Sequence, residues 1–282
     1  YYSTDDIKTN TKIAASSDTL PDMWYNWCGY NYAEYYAREG LCYDLAQYAQ
    51  ENNWDEKFIG SALDMCKYED GIYALPQVLT GLVVWYRTDI FEEYGLEVPT
   101  TLEELETVCD TLVENGVAPF ATGGTSGWHI FRYLEALLEY YAGAEEHDAL
   151  NALDADWASS EAVTSTFAKL KEWSDKGYFN NGFLTEDPNN SKMYVFSGTC
   201  AMVIDNSGMA SDVVANDYDE SQYGYFAFPT GHDGNPGRVS AYIKTVQFNK
   251  NLTDAQFDAA MKFWNYYYSD ESLEKHTSIE QP

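Results

Sequence analysis

Apolar residues recur along this chain at two spacings, and each spacing predicts a kind of element. Leu102, Leu105, Cys109 and Leu112 step by threes and fours and mark one helical face. Thr101 with Glu104 three residues on supplies a reciprocal cap at its start, after Gly95 and Pro99 break the chain. Val163, Phe167, Leu170 and Trp173 predict a second helix. Phe257, Ala260, Met261 and Trp264 predict a third, capped by Thr253 with Gln256. Short apolar runs such as Met23 to Tyr25 and Ala201 to Ile204 read as strands between them. The alternation argues for α/β architecture with parallel sheets. From Ala142 to Val163 the chain is polar and small apart from Trp157, which reads as a surface connection or short helix. From Asp70 to Phe91 two extended runs meet at a Pro76-to-Gly81 joint and lead into a helix, the pattern of a chain crossing between two lobes. No internal repeat, low-complexity linker or break in composition divides the sequence, which fits lobes that exchange chain.

Charge and cysteine content narrow the partners. With 46 acidic and 16 basic residues the formal net charge is -30, a field that repels nucleic-acid phosphates and anionic lipid headgroups. Such acidity is ordinary for a secreted protein and does not by itself imply cation binding. At 282 residues and 45% hydrophobic content there is material for a core in each of two lobes. No apolar run approaches the roughly 18 residues of a membrane span, and none resembles a signal peptide. The five cysteines, Cys28, Cys42, Cys66, Cys109 and Cys200, are widely spaced, with no C-x-x-C or Cys/His cluster to suggest zinc or dithiol chemistry. Cys109 and Cys200 sit among apolar neighbours and read as core. A disulfide among Cys28, Cys42 and Cys66 stays open.

Several segments, in order, resemble one family. The Asp70 to Phe91 run resembles the interlobe crossover of the extracellular solute-binding proteins of bacterial ABC sugar importers, the group that includes maltose-binding protein. Pro21 to Trp27 looks like the short strand and aromatic loop after that family's leading helix, here Ile7 to Pro21. Val195 to Ala210 resembles its F-x-x-G-x-A-A-M strand and following helix start. Tyr225 to Pro229 and the helix from Thr253 to Tyr268 follow in the family's order. The resemblance implies a periplasmic-binding-protein-like fold, two α/β lobes joined by hinge strands near Gln77 to Leu82 and Ser240 to Thr245. Residues 1–82 and 241–282 would form the first lobe and 83–240 the second. The family's first strand and closing helices have no counterpart here, so the first lobe is expected to be partial.

In open α/β sheets ligands bind beyond the carboxyl ends of strands, among loops feeding helices. Four segments here are candidates: Trp27 to Tyr32, Thr122 to His129, Asp205 to Gly208, and Ser240 to Tyr242. Their composition suits a sugar, whose apolar face stacks on aromatic rings while its hydroxyls need amide and carboxylate partners. Trp27 and Trp128 are candidate platforms, with core burial the competing reading of each. Gln77, Asp205 and Asn206 are candidate polar contacts. Gly124 beside Gly123 permits close backbone approach, and Ser126 shares that loop. Tyr30, Tyr242 and Gln77 are carried by their position in the resemblance. Trp24, Trp85, Trp173 and Trp264 are expected in the core, and Arg87 as a structural ion partner.

Catalytic patterns are missing. Gly124-Thr125-Ser126-Gly127-Trp128 lacks the last glycine of a nucleophile elbow, and no P-loop, dinucleotide fingerprint, H-E-x-x-H or EF-hand loop occurs. His129, His147, His232 and His276 are scattered, and His129 reads as a surface or helix-start residue. The loops Glu186 to Asn190 and His232 to Asn235 lack calcium-ligand spacing and read as solvated turns. The expectation is a non-catalytic carbohydrate (oligosaccharide) binding protein, extracellular or periplasmic, with no cofactor or metal. It would deliver ligand to ABC permease subunits and meet the membrane only through a lipid anchor outside this chain. A secreted glycan-active hydrolase and a non-transport sugar sensor or adhesin are the alternatives.

Overall fold

A computed structural model describes residues 4–231 and 237–280. The chain divides into two compact units, one built from Tyr1–Thr80 with Ala241–Ser278 and the other mainly from Gly81–Ser240.

In the first unit, helix α1 (Thr4–Ser16) precedes strand β1 (Met23–Trp27). Four short helices follow, α2 (Ala33–Arg38), α3 (Ala46–Glu51), α4 (Trp54–Lys57) and α5 (Gly60–Asp64), then the small hairpin β2 (Lys67–Tyr68) and β3 (Gly71–Ile72). Strand β4 (Leu75–Arg87) carries the chain across the unit boundary. The second unit continues with α6 (Thr88–Tyr94), α7 (Leu102–Glu114), β5 (Ala118–Phe120), α8 (Trp128–Asn151) and α9 (Glu161–Asp175). It closes with α10 (Ser191–Phe196), β6 (Cys200–Asn206), α11 (Met209–Ala215) and β7 (Tyr223–Phe226). Strand β8 (Ala241–Phe248) and helices α12 (Asp254–Tyr267) and α13 (Asp270–Glu280) complete the described chain.

The main strands run in the order β1-β8-β4-β6-β5, with β7 also on β4. Strand β4 contributes residues to both units. Pairing departs from the expected parallel sheets. β1 pairs antiparallel with β8 (Met23↔Phe248 to Trp27↔Lys244), β4 pairs antiparallel with β6 and β7, and only β5 with β6 is parallel among these registers. Helix and strand alternate in sequence, but in the main sheet only β5 and β6, the parallel pair, are both consecutive and neighbours. Elsewhere the neighbours are distant in sequence, so alternation does not dictate strand direction. The Leu82 N–H donates to the Ser240 carbonyl at 2.9 Å, holding together the points where the chain enters and leaves the second unit.

Each unit has its own core. In the second, Leu105, Leu112, Phe120, Tyr133, Leu137, Trp173 and Met202 are buried together. In the first, Trp54, Leu63, Leu75, Phe248, Phe257, Met261 and Trp264 do the same. The four tryptophans expected in the core are there, and both capping boxes form, Thr101 with Glu104 and Thr253 with Gln256. The fully buried Gln247 accepts from Trp24 Nε1 and Asn26 Nδ2 and donates to the Ala33 carbonyl, so an amide that would be costly unpaired cross-links β8 to β1 and α2. Arg87 pairs with Asp89 and donates to the Val195 carbonyl, a structural role.

One helical reading is corrected, and one left open is decided. Phe167 is 54% exposed, because the buried stripe of α9 runs through Val163, Thr166 and Trp173. Thr166 thus takes the inward position that hydrophobicity alone assigns to its neighbour. After Tyr141 the chain is not simply a connection: α8 resumes beyond Gly143, whose φ of 67° only glycine adopts readily, and continues to Asn151 with His147 and Leu150 buried. His147 Nδ1 lies 2.8 Å from Glu139, and Arg238 bridges Glu139 to Asp148, so polar residues are drawn inward by mutual pairing.

Candidate functional site

In the second unit the site begins where β5 stops. Beyond Phe120 the edge of β6 has lost its strand partner, and its backbone groups need others. The Ala121 N–H takes the Met202 carbonyl at 2.8 Å, and the Tyr133 hydroxyl reaches the Ile204 N–H. The Ile204 carbonyl accepts from His129 Nε2 at 3.2 Å and from Arg132 Nη1 at 2.7 Å. The first turns of α8 therefore finish the β6 edge with side chains, which fixes the start of α8 against the end of β6.

His129 stands at the helix start, as the second residue of α8, but it is fully buried rather than on the surface. The Gly123 N–H donates to Nδ1 at 3.3 Å, so Nδ1 must be the acceptor and the ring proton sits on Nε2, facing Ile204. Burial first, and then the nearby Arg132 charge, pulls its pKa down to about 4. A neutral imidazole thus ties the Thr122 to Gly127 loop to β6. A side chain at Gly123 would lie within 2.6 Å of the Pro188 backbone, and one at Gly124 2.9 Å from Leu184 Cα. The close approach these glycines permit is to their own chain.

Trp128 opens α8 and Arg132 lies one turn on, its guanidinium 4.8 Å from the Trp128 ring centre. Arg132 Nη1 also donates to Asp205 Oδ1 at 2.9 Å in a largely buried ion pair. Asp205 Oδ1 takes the Asn206 N–H and Nδ2 as well. Three donors converge on Oδ1, and among the described residues Oδ2 has no donor. Asn206 Oδ1 accepts from the Gly208 N–H, and Trp85 Nε1 donates to the Asn206 carbonyl, so the end of β6 is firmly placed. One face of Trp128 is covered by the guanidinium, and its Nε1 is buried without a hydrogen-bond partner.

Of the residues singled out from the sequence in this unit, Trp128, Asp205 and Asn206 come together. Gly124 supports the loop, and Ser126 is exposed and accepts from the Trp128 N–H. Arg132 was not anticipated, although its four-residue spacing from an aromatic helix start is a readable signal. Asp205 and Asn206 end β6 and Trp27 ends β1, so all three are strand-end rather than loop residues.

In the first unit Trp27 packs edge-on against Tyr25, with Lys8 Nζ 5.0 Å from its ring centre. The Tyr25 phenol is pushed well up by burial and by nearby Tyr242, which sets Trp27, Tyr25 and Tyr242 in one neighbourhood at the ends of β1 and β8. Tyr30 is exposed, with the Arg38 guanidinium 3.7 Å from its ring centre. Gln77 lies apart from them. It lines a cavity of about 510 Å³ walled by Trp54, Phe58, Trp264 and Tyr268, where its Nε2 lies 3.4 Å from the Tyr267 hydroxyl. Among the described residues no group of three or more His, Cys, Asp or Glu side chains could hold a metal ion. No described helix is long and apolar enough to cross a membrane. His232 to Asn235, read as a solvated turn, lie outside the described residues.

This architecture is that of the two-lobed, maltose-binding type of solute-binding protein. A solved chitin oligosaccharide binding protein matches with a TM-score of 0.87 at 22% identity, covering 99% of this chain and 70% of that one. A sugar transporter component of Bacillus licheniformis solved with stachyose matches with a TM-score of 0.75 at 19% identity, covering 99% and 72%. The model of the bacterial extracellular solute-binding protein family matches residues 1–274, and the chain belongs to that family. Among curated relatives, the multiple sugar-binding protein of Streptococcus mutans is 21% identical over 282 residues, 98% of this chain and 65% of that one. An ABC transporter extracellular-binding protein of Pyrococcus horikoshii is 27% identical over 149 residues, 47% of this chain and 34% of that one. The chain thus spans between a third and two thirds of the length of these two relatives.

Proposed function

We propose that this protein binds a carbohydrate, an oligosaccharide rather than a polyanion, outside the cytoplasm and delivers it to the permease subunits of an ABC importer. The observation that carries the reading is the Trp128, Arg132 and Asp205 cluster. It offers an aromatic ring with one face already taken by a cation, an indole N–H without a partner, and a carboxylate oxygen without a donor. A sugar has what these lack: an apolar face for the ring, an acceptor oxygen for Nε1 and hydroxyl donors for Oδ2. Asn206, Ser126 and Gly124 border the same cluster in sequence. Trp27, Tyr30, Tyr242 and Gln77 are the proposed contacts of the first unit. The protein works without cofactor or metal and is held at the cell surface by a lipid anchor or retained in a periplasm.

Binding without turnover is part of the proposal. Glycoside hydrolysis generally needs two carboxylates about 5 to 10 Å apart across the sugar. The cluster contributes one, Asp205, and that one is committed to Arg132. Names of sugar-binding relatives support the ligand class, among them an alpha-glucosides-binding periplasmic protein of Rhizobium meliloti, 26% identical over 197 residues. Calorimetric titration against a panel of neutral oligosaccharides, with mass spectrometry of the recovered ligand, tests both parts. Saturable binding with the ligand recovered intact is expected. Cleavage, or no binding across the panel, would overturn the reading.

A further inference from the structure

We propose that Cys28 and Cys66 form a redox-active pair that closes to a disulfide when the protein meets an oxidising, disulfide-containing medium. Their Sγ atoms lie 3.8 Å apart, although 38 residues separate them in sequence. Both backbones are held. The Cys28 N–H donates to the Ile243 carbonyl, continuing the β1-β8 ladder, and the Cys66 carbonyl accepts from Tyr73. Closing the gap to the roughly 2.05 Å of a disulfide brings the two sulfurs together by less than about 2 Å. The other three thiols are engaged elsewhere. Cys42 is buried with Trp24 and Tyr36 and accepts from Gln247 Nε2, while Cys109 and Cys200 are buried in the second unit.

The two sulfurs differ in a way that sets the order of events. Cys28 is partly exposed and Cys66 is buried. The Cys66 thiol is pushed up by its contact with Cys28 and by burial, so it keeps its proton. Cys28, as thiolate, attacks a small-molecule disulfide, forms a mixed disulfide and releases one thiol. Cys66 then loses its proton to solvent, and its sulfur attacks Cys28 Sγ and expels the second thiol. Two protein thiols are oxidised and one external disulfide is reduced to two thiols, so the exchange balances. The bond would tie the end of β1, next to Trp27, to the turn between α5 and β2. This inference does not depend on the ligand proposed above.

Trypsin separates the three candidate cysteines of the first unit into peptides 13–38, 39–57 and 58–67. The folded protein, reduced and desalted, is incubated with oxidised glutathione, alkylated under denaturing conditions and digested without reductant. A linked 13–38/58–67 species lighter by two hydrogens, which disappears on reduction, is expected. Cys66→Ser should instead retain glutathione on peptide 13–38, because the resolving thiol is gone. A link to peptide 39–57, glutathione persisting on Cys28 in the wild type, or five alkylated cysteines after incubation would each overturn the assignment. The wild-type map stands even where a variant fails to fold.

Discussion

His129 Nε2 donates to the Ile204 carbonyl at 3.2 Å while His129 Nδ1 accepts from the Gly123 N–H, an arrangement that only a neutral imidazole satisfies. Protonation would place a second N–H against the Gly123 N–H. The folded-state pKa lies near 4, below the ordinary 6.5, so the unfolded chain binds the proton more readily. Stability from this group is present above pH 6.5 and is lost as pH falls toward 4, by roughly 3 kcal/mol over the whole window. Denaturant unfolding at several pH values should show His129→Gln with a flatter acid limb than the wild type. Equal slopes would mean that His129 carries no such linkage.

His147 titrates in the opposite sense. Its contacts with Glu135 and Glu139 outweigh burial and raise its pKa, while Arg238 and His147 outweigh burial at Glu139 and lower that carboxyl. The imidazolium's contribution is therefore full below pH 6.5 and is lost as pH rises through the folded-state value. The Glu139 contribution is present above about pH 4.5 and is lost as pH falls. An NMR titration of the His147 ring should give a midpoint above 6.5, and His147→Gln should remove stability at pH 6 more than at pH 9. A midpoint below 6.5 would contradict the pairing.

Trp128 and Trp173 should separate binding from folding. Trp173 is fully buried, stacked on Phe120 at 5.6 Å and bonded to Glu106, so Trp173→Ala should cost about 3 to 5 kcal/mol of stability. Trp128 is only partly buried, and Trp128→Ala should weaken sugar binding by roughly 1 to 3 kcal/mol with little change in Tm. Trp27→Ala is expected to behave like Trp128→Ala. Calorimetry beside a melting curve reads both quantities, and a collapsed Tm for Trp128→Ala would return that ring to a purely structural role.

The Arg132 and Asp205 pair makes a further test. Each side chain is largely buried, so Arg132→Met leaves a carboxylate without its cation and should cost on the order of 3 kcal/mol. Asp205→Asn in the same background removes the stranded charge and should recover part of that loss. A double-mutant cycle measures the coupling, and strict additivity would show that the contact contributes nothing. Sugar binding should fall in both single variants, since Arg132 also covers one face of Trp128.

Local chemistry was legible from the sequence alone. The caps at Thr101 and Thr253 and the core stripes of α7 and α12 rest on residues within a few positions of one another, where spacing determines geometry, and the family resemblance rests on short segments recurring in order along the chain. What depended on distant chain did not follow. Strand direction, the inward turn of Thr166 rather than Phe167, and the burial of His129 and His147 were decided by which elements met. So were the approach of Cys66 to Cys28 and the placing of Arg132 between Trp128 and Asp205. An unpaired β6 edge needs donors wherever α8 can supply them, and a buried carboxylate needs a cation from whatever helix lies beside it. Such demands arise only once the chain has folded, so spacing along the sequence carries no record of how they are met.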